Sequence, residues 1–259
     1  MLKKRLVGVI TVKNGWAVQS FGYQRYLPVG RPEVLAENLD RWGADEILVV
    51  ALDRSRRKLG PDLALLGKLG ELALSTPLTY GGGIRNAADA STAIHCGAER
   101  VCVDAILHGD ARFVSEISAH IGSQALVAAL PLHLDAGGLQ WFDYLSGQSQ
   151  SPDAGLSRLF ELRLVSEALV IDWKNEGRRN GFDAALLDSF PVPEVPLIAF
   201  GGLSEPAQLQ HVLSHPRVVA AGVGNFLNYT EHAIQQLKQE LAGKAVLRPR
   251  SYQTSATSF

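Results

Sequence analysis

"PLTYGGGIRNAADAST" (Pro77–Thr92) and "PLIAFGGLSEPAQLQH" (Pro196–His211) are one device written twice, with Pro77 and Pro196 standing 119 residues apart. In each copy a short apolar run stops in glycines and restarts as a helical pattern. A buried strand does not need Gly81, Gly82 and Gly83, and a flexible linker would be longer. Two physical readings fit. A backbone without Cβ can come close to a ligand at a helix N-terminus, which is phosphate-binding architecture. Alternatively, the glycines only turn a strand into a helix. The match extends upstream, where "GADEILVVALD" at Gly43 pairs with "LVSEALVIDWK" at Leu164 at an offset of 121. Two half-chains with the same βαβα order imply a barrel made of two half-barrels. Its two glycine turns, Gly81–Gly83 and Gly201–Gly202, would then face each other across one mouth.

Working outward, apolar runs predict strands over 6–12, 46–52, 77–80, 100–105, 125–130, 167–172, 196–200 and 218–223. They are continuous rather than alternating, as in a parallel sheet covered on both faces. Amphipathic stretches separate them. "RPEVLAENLDRWG" has Pro32 near its first turn and Gly43 just past its last. "NAADASTAIHCG" has Asn86 as N-cap and Gly97 at its exit. Eight strand–helix units in about 250 residues is the size of a (β/α)8 TIM barrel. The run pattern alone also permits a doubly wound open sheet, and the repeat argues for the barrel. The expected domain is one α/β barrel over 1–242, with half-barrels at about 1–121 and 122–242, followed by a flexible tail over 243–259. Two segments stand apart. Pro131–Pro152 reads as an extended loop or hairpin over one rim, and "RPRSYQTSATSF" has no apolar period and is expected to be disordered.

A hydrophobic content of 46% supports a sizeable core, and a net charge of −1 argues against nucleic acid as a bulk electrostatic partner. The two cysteines, Cys96 and Cys102, give neither a disulfide framework nor metal-ligand spacing, and Cys102 reads as a small core residue. "MLKKRLVGVITV" is a first strand rather than a signal peptide, because its apolar run is short and no small-residue cleavage site follows. No apolar stretch reaches membrane-spanning length. A cytoplasmic protein without membrane contact is expected. The seven histidines are scattered, so no metal site and no cofactor are expected. His133, just past Pro131 at the mouth, is the one histidine singled out for a role.

The motifs "LKKRLVGVITVKNG", "GADEILVV", "PLTYGGGIRNAADA", "GAERVCVD", "IGSQALVAAL", "EGRRNGFD" and "PLIAFGGLSE" occur in order. Together they resemble the cyclase subunit of imidazole glycerol phosphate synthase from Met1 to about Leu241. The resemblance implies a half-barrel duplication that uses ammonia from a partner glutaminase, admitted at the bottom of the barrel and consumed at the top. It further implies phosphate contacts at Gly82, Gly83, Gly177, Gly201, Gly202, Gly224 and Asn225.

The departures are concentrated at the top. The resembled family carries catalytic aspartates at the ends of its first and fifth strands, where this chain has Thr11 and Pro131. Neither can move a proton near neutral pH, and a single general acid or base is worth roughly 10²–10⁴-fold. The family's mouth lysine is Gln19, its second-strand aspartate is Ala51, an asparagine near one phosphate is Asp104, and a small seventh-strand residue is Phe200. A carboxylate at Asp104 would repel a phosphate dianion unless protonated or turned away. Glu176 replaces an aspartate of the family.

The bottom is retained. Arg5, Glu46, Arg100 and Glu167 start the first, second, fourth and sixth strands. They match a family ring that gates ammonia entry, with one Lys-to-Arg change. Glu99 stands where the family faces its glutaminase. Such a ring can also merely plug a barrel for stability.

Two basic clusters follow the second and sixth strands, Arg54–Lys58 and Lys174–Arg179. They read either as binders of an anionic ligand or as solvated loops. The leading expectation is a barrel subunit of a glutamine-dependent amidotransferase. It would dock a glutaminase at its N-terminal face and conduct ammonia to an acceptor other than the histidine-pathway intermediate, as in an amidino-sugar pathway, or to a downstream enzyme. Three alternatives stand beside it. One is an enzyme with altered chemistry using Glu176, Asp104, Asp172 or His133. Another is a non-catalytic regulator binding a phosphorylated small molecule, and the last is the ordinary cyclase. An open lumen would favour conduction, and a packed one would count against it.

Overall fold

A computed structural model describes residues 3–244, 247 and 248. The strands are β1 (Arg5–Lys13), β2 (Trp16–Phe21), β3 (Arg25–Gly30), β4 (Glu46–Ala51), β5 (Leu78–Gly81), β6 (Arg100–Val103), β7 (Leu126–Asp135), β8 (Gly138–Asp143), β9 (Gln148–Gln150), β10 (Glu167–Asp172), β11 (Leu197–Phe200) and β12 (Val218–Val223). The helices are α1 (Pro32–Arg41), α2 (Asp53–Arg56), α3 (Leu63–Glu71), α4 (Ala87–His95), α5 (Ala111–Ile121), α6 (Ala154–Glu161), α7 (Ala185–Asp188), α8 (Pro206–Ser214) and α9 (Ala233–Glu240).

Eight strands pair in parallel in the order β1-β4-β5-β6-β7-β10-β11-β12, and β12 returns to β1. The sheet is therefore a closed eight-stranded barrel with its helices outside, as the repeat predicts. Successive side chains of β1 alternate between two cores, as the strand period of two requires. Leu6 and Ile10 face the helices, while Val7 and Val9 join Leu48, Val127, Leu169, Ile198 and Phe200 inside the barrel. Gly8 faces outward, where a Cβ would stand 2.7 Å from Leu39 Cδ1, so its bare backbone lets α1 close on the strand.

The predicted caps form. Asn86 Oδ1 accepts from Asp89 N at 2.9 Å, and Pro32 opens α1 at its first turn. The glycine turns have a packing reason of their own. Gly82 and Gly201 occupy positive φ of 126° and 104°, and a Cβ would collide with the carbonyl of Ala51 in one half and of Asp172 in the other. Each turn thus presses on the end of the preceding strand in its own half.

Two antiparallel hairpins rise from equivalent places. One, β2–β3, follows β1, and the other, β8–β9, continues from β7. The second occupies the segment Pro131–Pro152. It extends β7 five residues beyond the expected end at 130, because 132–135 pair with β8. The first hairpin was not expected from the apolar pattern. Its signals are two tight turns at positive φ: Asn14-Gly15 (50° and 78°), which pairs β2 back onto β1, and Gly22-Tyr23 (59° and 54°), which turns β2 into β3. The expected tail lies mostly outside the described residues. Among the described residues, no helix is long and apolar enough to cross a membrane.

Candidate functional site: the ring and the mouth

At the N-terminal end of the barrel, four side chains close a ring. Arg5 contacts Glu46 at 3.3 Å and Glu167 at 2.8 Å, and Arg100 contacts Glu46 at 3.6 Å and Glu167 at 2.8 Å. Thr79 Oγ1 donates to Glu46 at 2.6 Å, and Arg100 donates to Ser166 Oγ at 2.9 Å. Burial pushes the Glu167 carboxyl up, but the Arg5 and Arg100 guanidiniums outweigh it and hold the group below the usual carboxylate range. The ring forms because all four residues begin inward-facing rows on strands that pair in register, as Glu167 opposite Val127 illustrates. Glu99, expected to face a partner, accepts from Leu78 N at 2.6 Å through Oε2.

Above the ring the lumen is filled by apolar side chains, a packed core rather than an open bore. From the other end a cavity of about 300 Å³ descends from the mouth of the first half-barrel to Cys102 and Leu169. These residues stand two positions above Arg100 and Glu167 on the same strands. One layer of side chains therefore separates the cavity floor from the ring.

Thr11 and Pro131 sit on β1 and β7 opposite Val50 and Ile171, both buried, and present no ionisable group. The hairpin β2–β3 folds over the second half of the mouth and is held there by the residues singled out for phosphate contact. Asn225 donates to Ser20 O at 2.6 Å and accepts from Ser20 N at 3.1 Å. A Cβ on Gly177 would collide with Ser20 O. Glu176 Oε2 accepts from Ser20 Oγ at 2.9 Å and from Tyr23 N at 3.4 Å, and Gly22 N donates to the Glu176 carbonyl. In the other half, Gly83 N donates to Ser55 Oγ at 3.1 Å. Gly83 N in the first half and Asn225 Nδ2 in the second are thus engaged within the chain. Gly224 lies beside Phe200, whose ring stands where the resembled family has a small residue.

The mouth's acids differ from those of the ring. The Asp104 side chain is 27% exposed, but the enclosure of its Oδ1 side drives it up to about 8, with Asp143 adding repulsion. Burial also drives Glu176 to about 7, against the hydrogen bonds from Ser20, Tyr23 and Gly22. Asp172 is a structural clamp, accepting from Asn175 Nδ2 and Asp183 N, each at 2.9 Å. His133 is buried, accepts from Trp173 Nε1 at 3.1 Å and stands 3.7 Å from Asp135 Oδ2. The basic clusters are tied down locally: Arg54 to the carbonyls of Leu59, Gly60 and Pro61, Arg56 to Tyr144 O, and Arg179 to Glu205. Tyr23, Tyr26, His108 and Tyr144, which shape the mouth, carry no motif that a linear reading finds. Among the described residues no cluster could hold a metal ion.

A half-barrel duplication with a charged ring below and a remodelled mouth above defines a class of (β/α)8 biosynthetic barrels. The family model described as "Histidine biosynthesis protein" matches residues 5–233, and the chain belongs to that family. It is 28% identical over 248 residues to "Imidazole glycerol phosphate synthase subunit HisF" of Acidobacterium capsulatum, covering 95% of this chain and 98% of that protein. It is 29% identical over 247 residues to the protein of the same name from Staphylococcus saprophyticus, covering 93% and 97%. It is 27% identical over 243 residues to "Putative imidazole glycerol phosphate synthase subunit hisF2" of Vibrio vulnificus, covering 93% and 89%. The chain is a divergent HisF-like member of the family.

Proposed function

We propose that this chain is the barrel subunit of a glutamine-dependent amidotransferase, docking a glutaminase on its N-terminal face and passing ammonia to an acceptor other than the histidine-pathway intermediate. One observation carries the reading. The four-membered ring is complete and hydrogen-bonded, while the positions of the family's paired carboxylates hold Thr11 and Pro131. A chain that had lost its ammonia supply would have no call on a ring of two guanidiniums and two carboxylates at the entrance, since apolar residues plug a barrel as well. The packed lumen counts against conduction. Ammonia would need to pass only the layer holding Cys102 and Leu169, and rotamer motion of apolar side chains suffices for a molecule of that size.

The relatives are named as subunits of a synthase, in keeping with a partner on the ring face. The test mixes the purified chain with a glutaminase-like protein encoded in the same genome and reads glutamate release without any histidine-pathway substrate. Stimulation by the intact chain, altered by Glu167→Ala and Arg5→Ala, is the expected result. Absence of both complex and stimulation overturns the reading.

A second reading, an enzyme with altered acid–base chemistry at the mouth, is favoured by one observation. Asp104 and Glu176 are both shifted to near-neutral values, at about 8 and about 7, where a group can donate and accept.

A further inference from the structure

The cavity of the first half-barrel is lined by groups with different tasks. Its floor is apolar, formed by Cys102, Ala129, Leu169 and Ile171. Its upper wall holds Tyr23 and Tyr144, whose rings meet edge to face with centroids 5.3 Å apart. Between floor and wall lies Asp104, whose Oδ1 is buried without a hydrogen-bond partner. Such an atom is costly in a folded protein unless something else satisfies it.

Among the described residues no cation does so. Among the described residues, the one basic side chain within 4.0 Å of the Asp104 carboxyl is His108, and burial holds that imidazole below its ordinary pKa. Its ring is stacked on Trp141 at 3.8 Å, and both ring nitrogens are themselves without partners. The cations at the rim have partners of their own. Lys13 Nζ lies 3.5 Å above the Tyr26 ring, Arg57 pairs with Asp53 at 3.5 Å, and Arg56 donates to Tyr144 O at 2.8 Å.

We infer that this cavity binds a protonated primary amine, its ammonium seated between the Asp104 carboxylate and the faces of Tyr23 and Tyr144, with any organic body resting on the apolar floor. A carboxylate beside aromatic faces is the chemistry that recognises an ammonium, and an inorganic phosphate would meet Asp104 with no free amide from Gly83. Two sources share this ligand chemistry: ammonia arriving through the barrel, and an organic amine entering from the mouth. For ammonia or a free amine the step is a single proton transfer. The O–H bond of the Asp104 carboxylic acid breaks, an N–H bond forms, and an ammonium–carboxylate pair remains.

The electrostatic setting fixes the sign of the pH dependence. The groups facing Asp104 are Asp143, Tyr23 and Tyr144 together with His108 and Cys102, and burial with Asp143 holds its proton to about pH 8. An amine that is already protonated must displace that proton, so its affinity rises as Asp104 ionises. The site rests on the same mouth that the amidotransferase reading leaves without the family's paired carboxylates. Its test uses the barrel without a glutaminase, so its failure and the failure of the subunit reading are separable.

Titration calorimetry with ammonium, methylammonium and phenethylammonium chlorides, and with inorganic phosphate, decides the matter. Methylammonium is expected to bind roughly 20-fold tighter at about pH 8.5 than at about pH 6.5, following the ionised fraction of Asp104. Asp104→Asn, which keeps the shape, should abolish binding, while Asp110→Asn on the exposed end of α5 should not change it. Phenethylammonium binding at least tenfold tighter than ammonium assigns the site to an organic amine, and ammonium binding as tightly assigns it to delivered ammonia. Either supports the shared chemistry. Binding of phosphate without any ammonium ion, ammonium binding that survives Asp104→Asn in a folded variant, or no binding of any probe would overturn it.

Discussion

The two ends of this barrel treat buried charge in opposite ways. At the bottom, two carboxylates and two guanidiniums alternate, every charge has two partners, and Glu167 is held below its ordinary pKa. At the mouth, among the described residues, no guanidinium or ammonium pairs with Asp104 or Glu176, and both are pushed up towards neutrality. The same residue type is therefore a fixed anion at one end and a proton holder at the other. A buried ionic network with complete pairing keeps its charge, whereas a lone buried carboxyl keeps its proton. The bottom can hold a fixed charge pattern for a partner, and the mouth can exchange a proton with whatever enters it.

The largest effect should come from breaking the paired end. Glu167→Ala removes the carboxylate that both Arg5 and Arg100 contact at 2.8 Å and leaves two guanidiniums facing each other around Glu46. Removing one partner from such a network costs about 3 kcal/mol, read as a lower denaturant midpoint at unchanged slope. Glu167→Gln, which retains an acceptor, should lose less. Equal loss from both variants would mean that the ring is packing and not paired charge.

The fold was legible because it rests on short-range chemistry that the chain writes twice. The glycine turns, the Asn86 cap and Pro32 each act within a few residues of themselves, and β10 and β12 begin and end where their apolar runs do. The ring was legible too, once the strand starts were known, since closing the barrel brings those starts together. The mouth was only partly legible. Thr11 and Pro131 show what is missing, but nothing in "VDAILHGD" shows that Asp104 Oδ1 and His108 will be left without partners beneath a hairpin from 138–150. That juxtaposition depends on the barrel's closure and on how each hairpin leans. The lid over the second half was missed although Asn14-Gly15 signals it, because an apolar-run search passes over the half-exposed strands β2 and β3.

A pH series sharpens the contrast between the ends. Glu167 has a depressed folded pKa, so its contribution is present above the unfolded value and is lost as pH falls through the folded one. Asp104 and Glu176 have raised folded pKa values, so the native state binds more protons than the unfolded chain between about 4 and about 8. Their contribution is favourable in acid and is lost as pH rises through that window. Asp104→Asn with Glu176→Gln should therefore flatten the alkaline side of the stability profile, raising stability at pH near 8.5 and much less at pH near 5. Glu167→Gln should flatten the acid side instead. An unchanged alkaline limb in the mouth variant would mean that solvent already reaches both carboxyls.

The smallest effect should come from the latch of the first hairpin. Ser20 carries three contacts that hold β2 over the mouth: its amide and carbonyl on Asn225 and its hydroxyl on Glu176. Ser20→Ala removes only the last of them. A neutral hydroxyl donating to a carboxyl contributes about 1 kcal/mol, and because the backbone contacts remain, the global midpoint should move by that much or less. The loss should instead appear locally, as faster amide exchange across 16–30 with the barrel strands unchanged. Since the hydroxyl donates to Glu176, losing it also removes a bond that favours the ionised carboxylate, so Glu176 should hold its proton to still higher pH. Faster exchange confined to the hairpin would make it a separately opening lid on the proton-holding end. Uniform exchange across β1, β2 and β12 would make hairpin and barrel one cooperative unit, and the difference between the two ends would then be electrostatic alone.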